Sequence, residues 1–223
     1  MQIVGFGGLA KAGKTTAANI LAEWAFTRGY HVVIEQFAGP LKKASAILGF
    51  HKGGDRDHLY REFCQTTGAF ARKSSVDGDW FLGLMSDRLD VIAHEEQNRM
   101  AQDDDVFHES LVIIDDVRFP NECELLKKYR GRSVFICAHK RLTDLDAEWR
   151  KHSSEDLAWG YTRGLIDDGM FDFSVPNNKN SVVALVDDDG KETGEYKYPV
   201  LEAHISNLAP TLASLDAMER IHE

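Results

Sequence analysis

The stretch Gly8-Leu9-Ala10-Lys11-Ala12-Gly13-Lys14-Thr15, followed by Thr16, decides how this chain is to be read. It matches GxxxxGK[ST] and stands between a short apolar run, Gln2 to Phe6, and a helical pattern from Lys14 to Arg28. Gly8 and Gly13 allow backbone conformations that turn amide N–H groups inward around a phosphate. The first turn of the following helix adds unpaired N–H donors and the positive end of its dipole. Lys14 is expected to reach the β- and γ-phosphates of ATP, and the Thr15 hydroxyl to join the shell of Mg²⁺. Gly8, Ala10, Lys11, Ala12, Gly13, Lys14, Thr15 and Thr16 are therefore candidate ATP contacts. A glycine-rich turn that matches by chance is the alternative, and the flanking strand and helix count against it. The loop by itself does not choose among kinases, GTPases and motor ATPases.

Beyond the loop, apolar residues at Ala17, Ile20, Leu21, Trp24 and Ala25 recur at helical spacing, and Gly29 supplies a stop. His31 to Phe37 reads as a second strand, and Pro40 to Leu48 as a short helix with proline in its first turn. His58 to Lys73 and Trp80 to Met100 read as two longer helices. Leu111 to Asp116 is a third strand, followed by a turn, a helix and the stop at Gly131; Ser133 to His139 and Phe171 to Val175 are the fourth and fifth. SVVALV and TGEYKYPV pair as a hairpin across DDDGKE, ahead of a C-terminal helix from about Leu201 that is interrupted near Pro210. Strands alternating with helices predict an α/β fold of the P-loop NTPase, nucleoside monophosphate kinase-like kind: a parallel sheet flanked by helices. One domain spans 1–223, with a helical acceptor-binding insertion at about 38–105 and a lid-like segment at about 140–165.

LVIIDDVRF has the form of a strand ending in acid, which brings Asp115 or Asp116 to the carboxyl end of the sheet beside the phosphate loop. One carboxylate would serve the metal, for which Asp116 is taken together with Thr15, and its neighbour a structural cap. A GTPase would carry glycine three residues after the aspartate, where Phe119 stands. It would also read guanine with NKxD, and Asn178-Lys179-Asn180-Ser181 lacks the aspartate. Arg118, two residues after Asp116, instead suggests a clamp on a transferring phosphoryl group, with Lys14, Asp116 and Arg118 as the catalytic set.

Further residues fit an acceptor site. Phe37 ends the second strand and Lys42 and Lys43 follow it, Gln65 and Arg72 lie on one helix, and Trp80 is placed to pack on a base. The plain alternatives are a solvated lysine pair, a helix C-terminal arginine and a core tryptophan. Arg141, Arg150, Lys151 and His152 fall in an irregular stretch of the sort that closes over phosphates, and Arg141 is a candidate ATP contact. An ordinary charged surface is the alternative there, and HSSE (His152 to Glu155) also reads as a helix N-cap.

A formal net charge of -10 over 223 residues argues against a protein that coats duplex nucleic acid. The three cysteines, Cys64, Cys123 and Cys137, have no CxxC spacing, which points away from disulfides and structural zinc and toward a reducing cytoplasm. The N-terminus lacks the pattern of a signal peptide, and no apolar run is long enough for a membrane span.

FAGPLKK (Phe37 to Lys43), QTTGAFAR (Gln65 to Arg72), Trp80, IIDDVRFPNE (Ile113 to Glu122), HSSE and FDFSVPNNKNS accompany the phosphate loop in order. With them the chain resembles the bacteriophage deoxynucleoside monophosphate kinase family over roughly its first four-fifths. The resemblance implies a P-loop kinase fold and transfer of the ATP γ-phosphate to a deoxynucleoside 5′-monophosphate in the host cytoplasm. It also implies that Lys42, Arg72, Asp116 and Arg118 line the acceptor side with Trp80 near the base. The hairpin from Asp187 to Tyr198 is additional to the family pattern. Two rival readings are a P-loop kinase of another phosphorylated metabolite, such as dephospho-coenzyme A, and a switch ATPase without an acceptor. The oligomeric state is open, with a homodimer among the expectations.

Overall fold

Strand β1 (Gln2–Gly7) is buried along its whole length and runs into the phosphate loop, after which α1 (Lys14–Phe26) begins at Gly13. The computed structural model describes residues 1–53, 56–75, 80–101, 109–138, 153–164, 168–177, 183–186, 192–197 and 199–219. Its order continues β2 (His31–Glu35), α2 (Gly39–Ile47), α3 (Asp57–Ser74), α4 (Trp80–Ala101), β3 (Ser110–Val117), α5 (Pro120–Lys128) and β4 (Arg132–Cys137). A 3-10 turn at Ser153–Glu155 leads into α6 (Asp156–Thr162), followed by β5 (Phe173–Pro176), β6 (Val183–Val186), β7 (Glu192–Lys197) and α7 (Pro199–Glu219).

Five strands form one parallel sheet in the order β2-β3-β1-β4-β5. The fold is thus the α/β P-loop arrangement expected from the sequence. Because β1 and β3 are parallel neighbours, with Gly7 opposite Val117, the phosphate loop and the Asp115-Asp116 pair leave the sheet at the same edge. Ligands of open parallel sheets bind outside that carboxyl edge.

The hydrophobic pattern explains the layers. All eight residues of β3 are buried, the signature of a strand covered on both faces. On α1 the buried stripe is Ala17, Ala18, Leu21 and Ala25, and on α4 it is Phe81, Met85, Leu89, Ile92 and Glu96. The Glu96 carboxylate accepts a 2.6 Å hydrogen bond from the Ser110 N–H, pinning α4 to the start of β3.

Two expectations change. α7 is continuous, with Pro210 inside it rather than at a break. Proline removes one backbone donor, but Leu201, Ile205, Ala209 and Leu212 continue one buried stripe across it, and that packing, much of it against α1, carries the helix through. β2 ends at Glu35, so Gln36 and Phe37 belong to the turn before α2. The hairpin is present as the antiparallel pair β6–β7, while its DDDG turn lies outside the described residues.

The three cysteines are free thiols. No described helix is long and apolar enough to cross a membrane.

Candidate active site

The phosphate loop owes its shape to three left-handed residues, Gly8 (φ 135°), Lys11 (φ 64°) and Gly13 (φ 105°). A Cβ on Gly8 would meet the Ile136 carbonyl oxygen at 2.6 Å, so only glycine fits there. Buried Asn177, just past β5, donates from Nδ2 to the Ala12 carbonyl at 2.7 Å and clamps the loop to the sheet. Its backbone N–H donates to the Cys137 carbonyl at 2.7 Å.

Lys14 is 7% exposed, and its Nζ donates to the carbonyls of Gly8 and Leu9 at 2.7 and 2.9 Å. Burial pulls its pKa down to about 7, and the nearby Arg118 charge pushes the same way against Glu155, Asp116 and Asp115. Lys11 is exposed at the loop tip. Lys14, Thr15 and Thr16 line a cleft with Gln36, Asp115, Asp116 and Arg118.

The two aspartates part company, as neighbours on a strand must. The Thr15 hydroxyl donates to Asp115 Oδ2 at 2.6 Å, and Gln36 Nε2 donates to Asp115 Oδ1 at 2.5 Å. Asp116 instead accepts the N–H groups of Phe37 (2.8 Å) and Ala38 (3.2 Å) and the Lys42 ammonium (3.0 Å). The sequence leaves the metal's carboxylate between Asp115 and Asp116 and takes Asp116; in the structure the carboxylate bonded to Thr15 is Asp115, while Asp116 braces the β2–α2 turn. The hydroxyl and carboxylate oxygens of Thr15 and Asp115 suit a hard divalent cation that completes its shell with phosphate and water oxygens. The described residues hold no group of three or more His, Cys, Asp or Glu side chains that could cage a metal.

A second, more apolar pocket lies alongside, walled by Phe37, Leu41, Tyr60, Cys64, Phe81 and Phe119. Gln65 and Arg72 from α3 line it, as expected. Arg72 is held between two rings, its guanidinium carbon 3.9 Å from the centroid of Phe119 and 4.5 Å from that of Phe81. Buried Glu122 accepts from its Nη2 at 3.0 Å. Burial lowers the Arg72 pKa, and the Glu122 charge opposes that. Arg72 lines this pocket but not the cleft over the phosphate loop.

Trp80 does not line this pocket. It begins α4 at 45% exposure and meets the next ring, Phe81, edge-on at 4.9 Å, so of these two neighbours Phe81 lines the pocket. Arg141 lies outside the described residues, as do Arg150, Lys151 and His152 and most of the lid-like segment.

No family model matches the chain, and no curated protein sequence matches it. Among solved structures it is similar to the one titled "Crystal structure of APE1195", at 12% identity and TM-score 0.36 over 96% of each chain. It is also similar to a gluconokinase from Sinorhizobium meliloti 1021, at 13% identity and TM-score 0.34 over 95% of each chain. Likenesses this slight carry no argument about activity.

Several site residues escape a reading of the sequence. Glu122 Oε2 accepts the backbone N–H groups of Arg118 (2.6 Å) and Phe119 (3.1 Å) while Oε1 takes Arg72, so one carboxylate organises both arginines. Burial and the nearby Asp116 charge push its pKa up to about 7, against the pull of those donors and of Arg72. Tyr60 and Arg61 face both pockets; burial and Cys64 push the Tyr60 phenol up to about 12, keeping it a neutral donor. Glu155 is 2% exposed and accepts from the Ala10 N–H and the Arg118 guanidinium. Only the acid of HSSE hinted at it, and only as a cap.

Proposed function

We propose that the chain is a deoxynucleoside monophosphate kinase, transferring the γ-phosphate of Mg·ATP to the 5′-phosphate of a deoxynucleotide to give ADP and a deoxynucleoside diphosphate. One observation carries the reading. The cleft over the phosphate loop and the apolar pocket adjoin, sharing Ala10, Lys42, Tyr60, Arg61, Asp116 and Arg118. A nucleotide triphosphate in one and a nucleoside monophosphate in the other would meet phosphate to phosphate along a seam that carries Lys42, Arg61 and Arg118.

The loop amides and Lys14 hold the β- and γ-phosphates, whose negative charge favours the protonated, ammonium form of Lys14. Thr15 and Asp115 would hold Mg²⁺, which would supply neutralisation of phosphate charge. Arg118 neutralises the transferring group, and Lys42 with Arg61 receives the acceptor's phosphate. The acceptor phosphate is already largely ionised near neutral pH, so positioning and charge neutralisation rather than a strong base carry the rate. Arg72 serves the base side, since two rings and a buried carboxylate hold it in the apolar slot away from the phosphate loop. Phe81 and Phe119 hold Arg72 between them and add to the apolar lining of the slot.

ADP formation from Mg·ATP with each of dAMP, dCMP, dGMP and dTMP, against a no-acceptor control, tests this. Acceptor-dependent ADP with at least one of them is expected. ADP only at the control rate with all four removes the reading.

A further inference from the structure

Glu155 sits where a carboxylate is costly unless something uses it. It is 2% exposed, at the end of a 3-10 turn, and one oxygen accepts the Ala10 N–H at 2.8 Å. The other accepts Nη1 of Arg118, whose guanidinium is about one-third exposed. The same nitrogen reaches the Ser154 hydroxyl at 3.5 Å. Ala10 belongs to the phosphate loop, and Arg118 reaches the seam between the two pockets. A buried charge with good donors on both oxygens fixes geometry better than it adds stability.

The element that carries Glu155 is packed into the core. Leu157 and Ala158 of α6 are buried in the core. Tyr161 packs against Phe135 of β4 and Phe171, with centroids at 4.5 and 5.2 Å. Arg118 is held at its other end too, since its backbone N–H is bound by Glu122. One carboxylate thus holds the Arg118 backbone and another holds its guanidinium.

We infer that Glu155 is the positioning residue of Arg118: it aims the guanidinium along the seam and ties it to the Ala10 amide, so that clamp and loop are preorganised as one unit. The inference rests on the kinase reading for its rate effect. A carboxylate that only anchored α6 would lower stability when removed, without acting through Arg118.

The test is a double-mutant cycle on the full chain, with Glu155→Gln, Glu155→Asp, Arg118→Ala and Glu155→Gln/Arg118→Ala. Expected is a fall in kcat of about 100-fold in E155Q, the scale of a misplaced catalytic group. KM for ATP and acceptor should stay little changed, E155D should recover part of the rate, and the double variant should be no slower than R118A. Wild-type kcat in E155Q, or losses that multiply on the R118A background, would overturn it. Thermal melts establish that each variant is folded at the assay temperature, and E155D carries the kcat and KM comparison if E155Q is not. The guanidinium ¹⁵N signals of Arg118, followed without substrates, separate this inference from the kinase reading. Hindered exchange in the wild type that is lost in E155D or E155Q supports the positioning role even if no deoxynucleotide is phosphorylated. Signals unchanged by both substitutions sink it.

Discussion

Thr15 and Asp115 are joined by a 2.6 Å hydrogen bond across one hundred positions of sequence, from the start of α1 to the end of β3. The hydroxyl and the carboxylate that a bound Mg²⁺ would share are thus already adjacent, while Asp116 braces the turn into α2 and borders both pockets. Asp115→Asn should raise the Mg²⁺ concentration needed for half-maximal activity by roughly tenfold or more and lower kcat. Asp116→Asn should chiefly raise the acceptor KM, through loss of the Lys42 pair and the Phe37 and Ala38 contacts. Magnesium titrations at saturating ATP distinguish the two variants; the reverse pattern would return the metal to Asp116.

Phe81 and Trp80 are adjacent on α4, yet only Phe81 walls the apolar pocket. Phe81→Ala should raise the acceptor KM and also destabilise the fold by about 3–5 kcal/mol, since the ring is buried at 3% exposure. Phe81→Leu keeps most of the volume and should retain stability while losing the ring that holds Arg72. Trp80→Ala should leave the acceptor KM close to wild type. Steady-state kinetics over a range of acceptor concentrations, with a thermal melt of each variant, checks this.

Two buried groups give the stability a pH signature. The folded pKa of Glu122 is raised from 4.5 to about 7, so its stabilising contribution is complete below about pH 4.5 and is lost as pH rises through 7. The folded pKa of Lys14 is lowered from 10.5 to about 7, so its contribution is present above about pH 10.5 and is lost as pH falls through 7. Denaturant unfolding from pH 4.5 to 10 should therefore show Glu122→Gln flattening the falling limb below pH 7. Lys14→Met should flatten the rising limb above it. Limbs that survive both substitutions would assign the signature to other groups.

Gly13 and Asn177 lock the phosphate loop together. A Cβ on Gly13 would collide with the Asn177 amide at a backbone φ of 105°. Gly13→Ala should therefore abolish measurable Mg·ATP binding by calorimetry. Asn177→Ala leaves the Ala12 carbonyl without that donor and should cost about 1–3 kcal/mol of stability. The melting temperature should drop by several degrees, and ATP affinity should weaken with it.

Local signals were enough for the sheet, because unbroken apolar runs and a glycine-rich turn mark buried parallel strands without any tertiary information. They were not enough for choices made by direction. Asp115 and Asp116 differ only in which face of β3 each leaves, and Trp80 and Phe81 differ by one step around a helix; both outcomes depend on what packs opposite. Glu155 meets Ala10 across 145 positions, which no local pattern encodes. Pro210 reads locally as a break, and the stripe from Leu201 to Leu212 overrides it.

The most direct test of phosphate-to-phosphate transfer across the shared seam follows the label from [γ-³²P]ATP with Mg²⁺ and each deoxynucleoside monophosphate. The account predicts radioactivity in the terminal phosphate of a deoxynucleoside diphosphate, in step with ADP, and its loss by about a thousandfold in Arg118→Ala. Label appearing only as inorganic phosphate, at a rate indifferent to the acceptor, would contradict it.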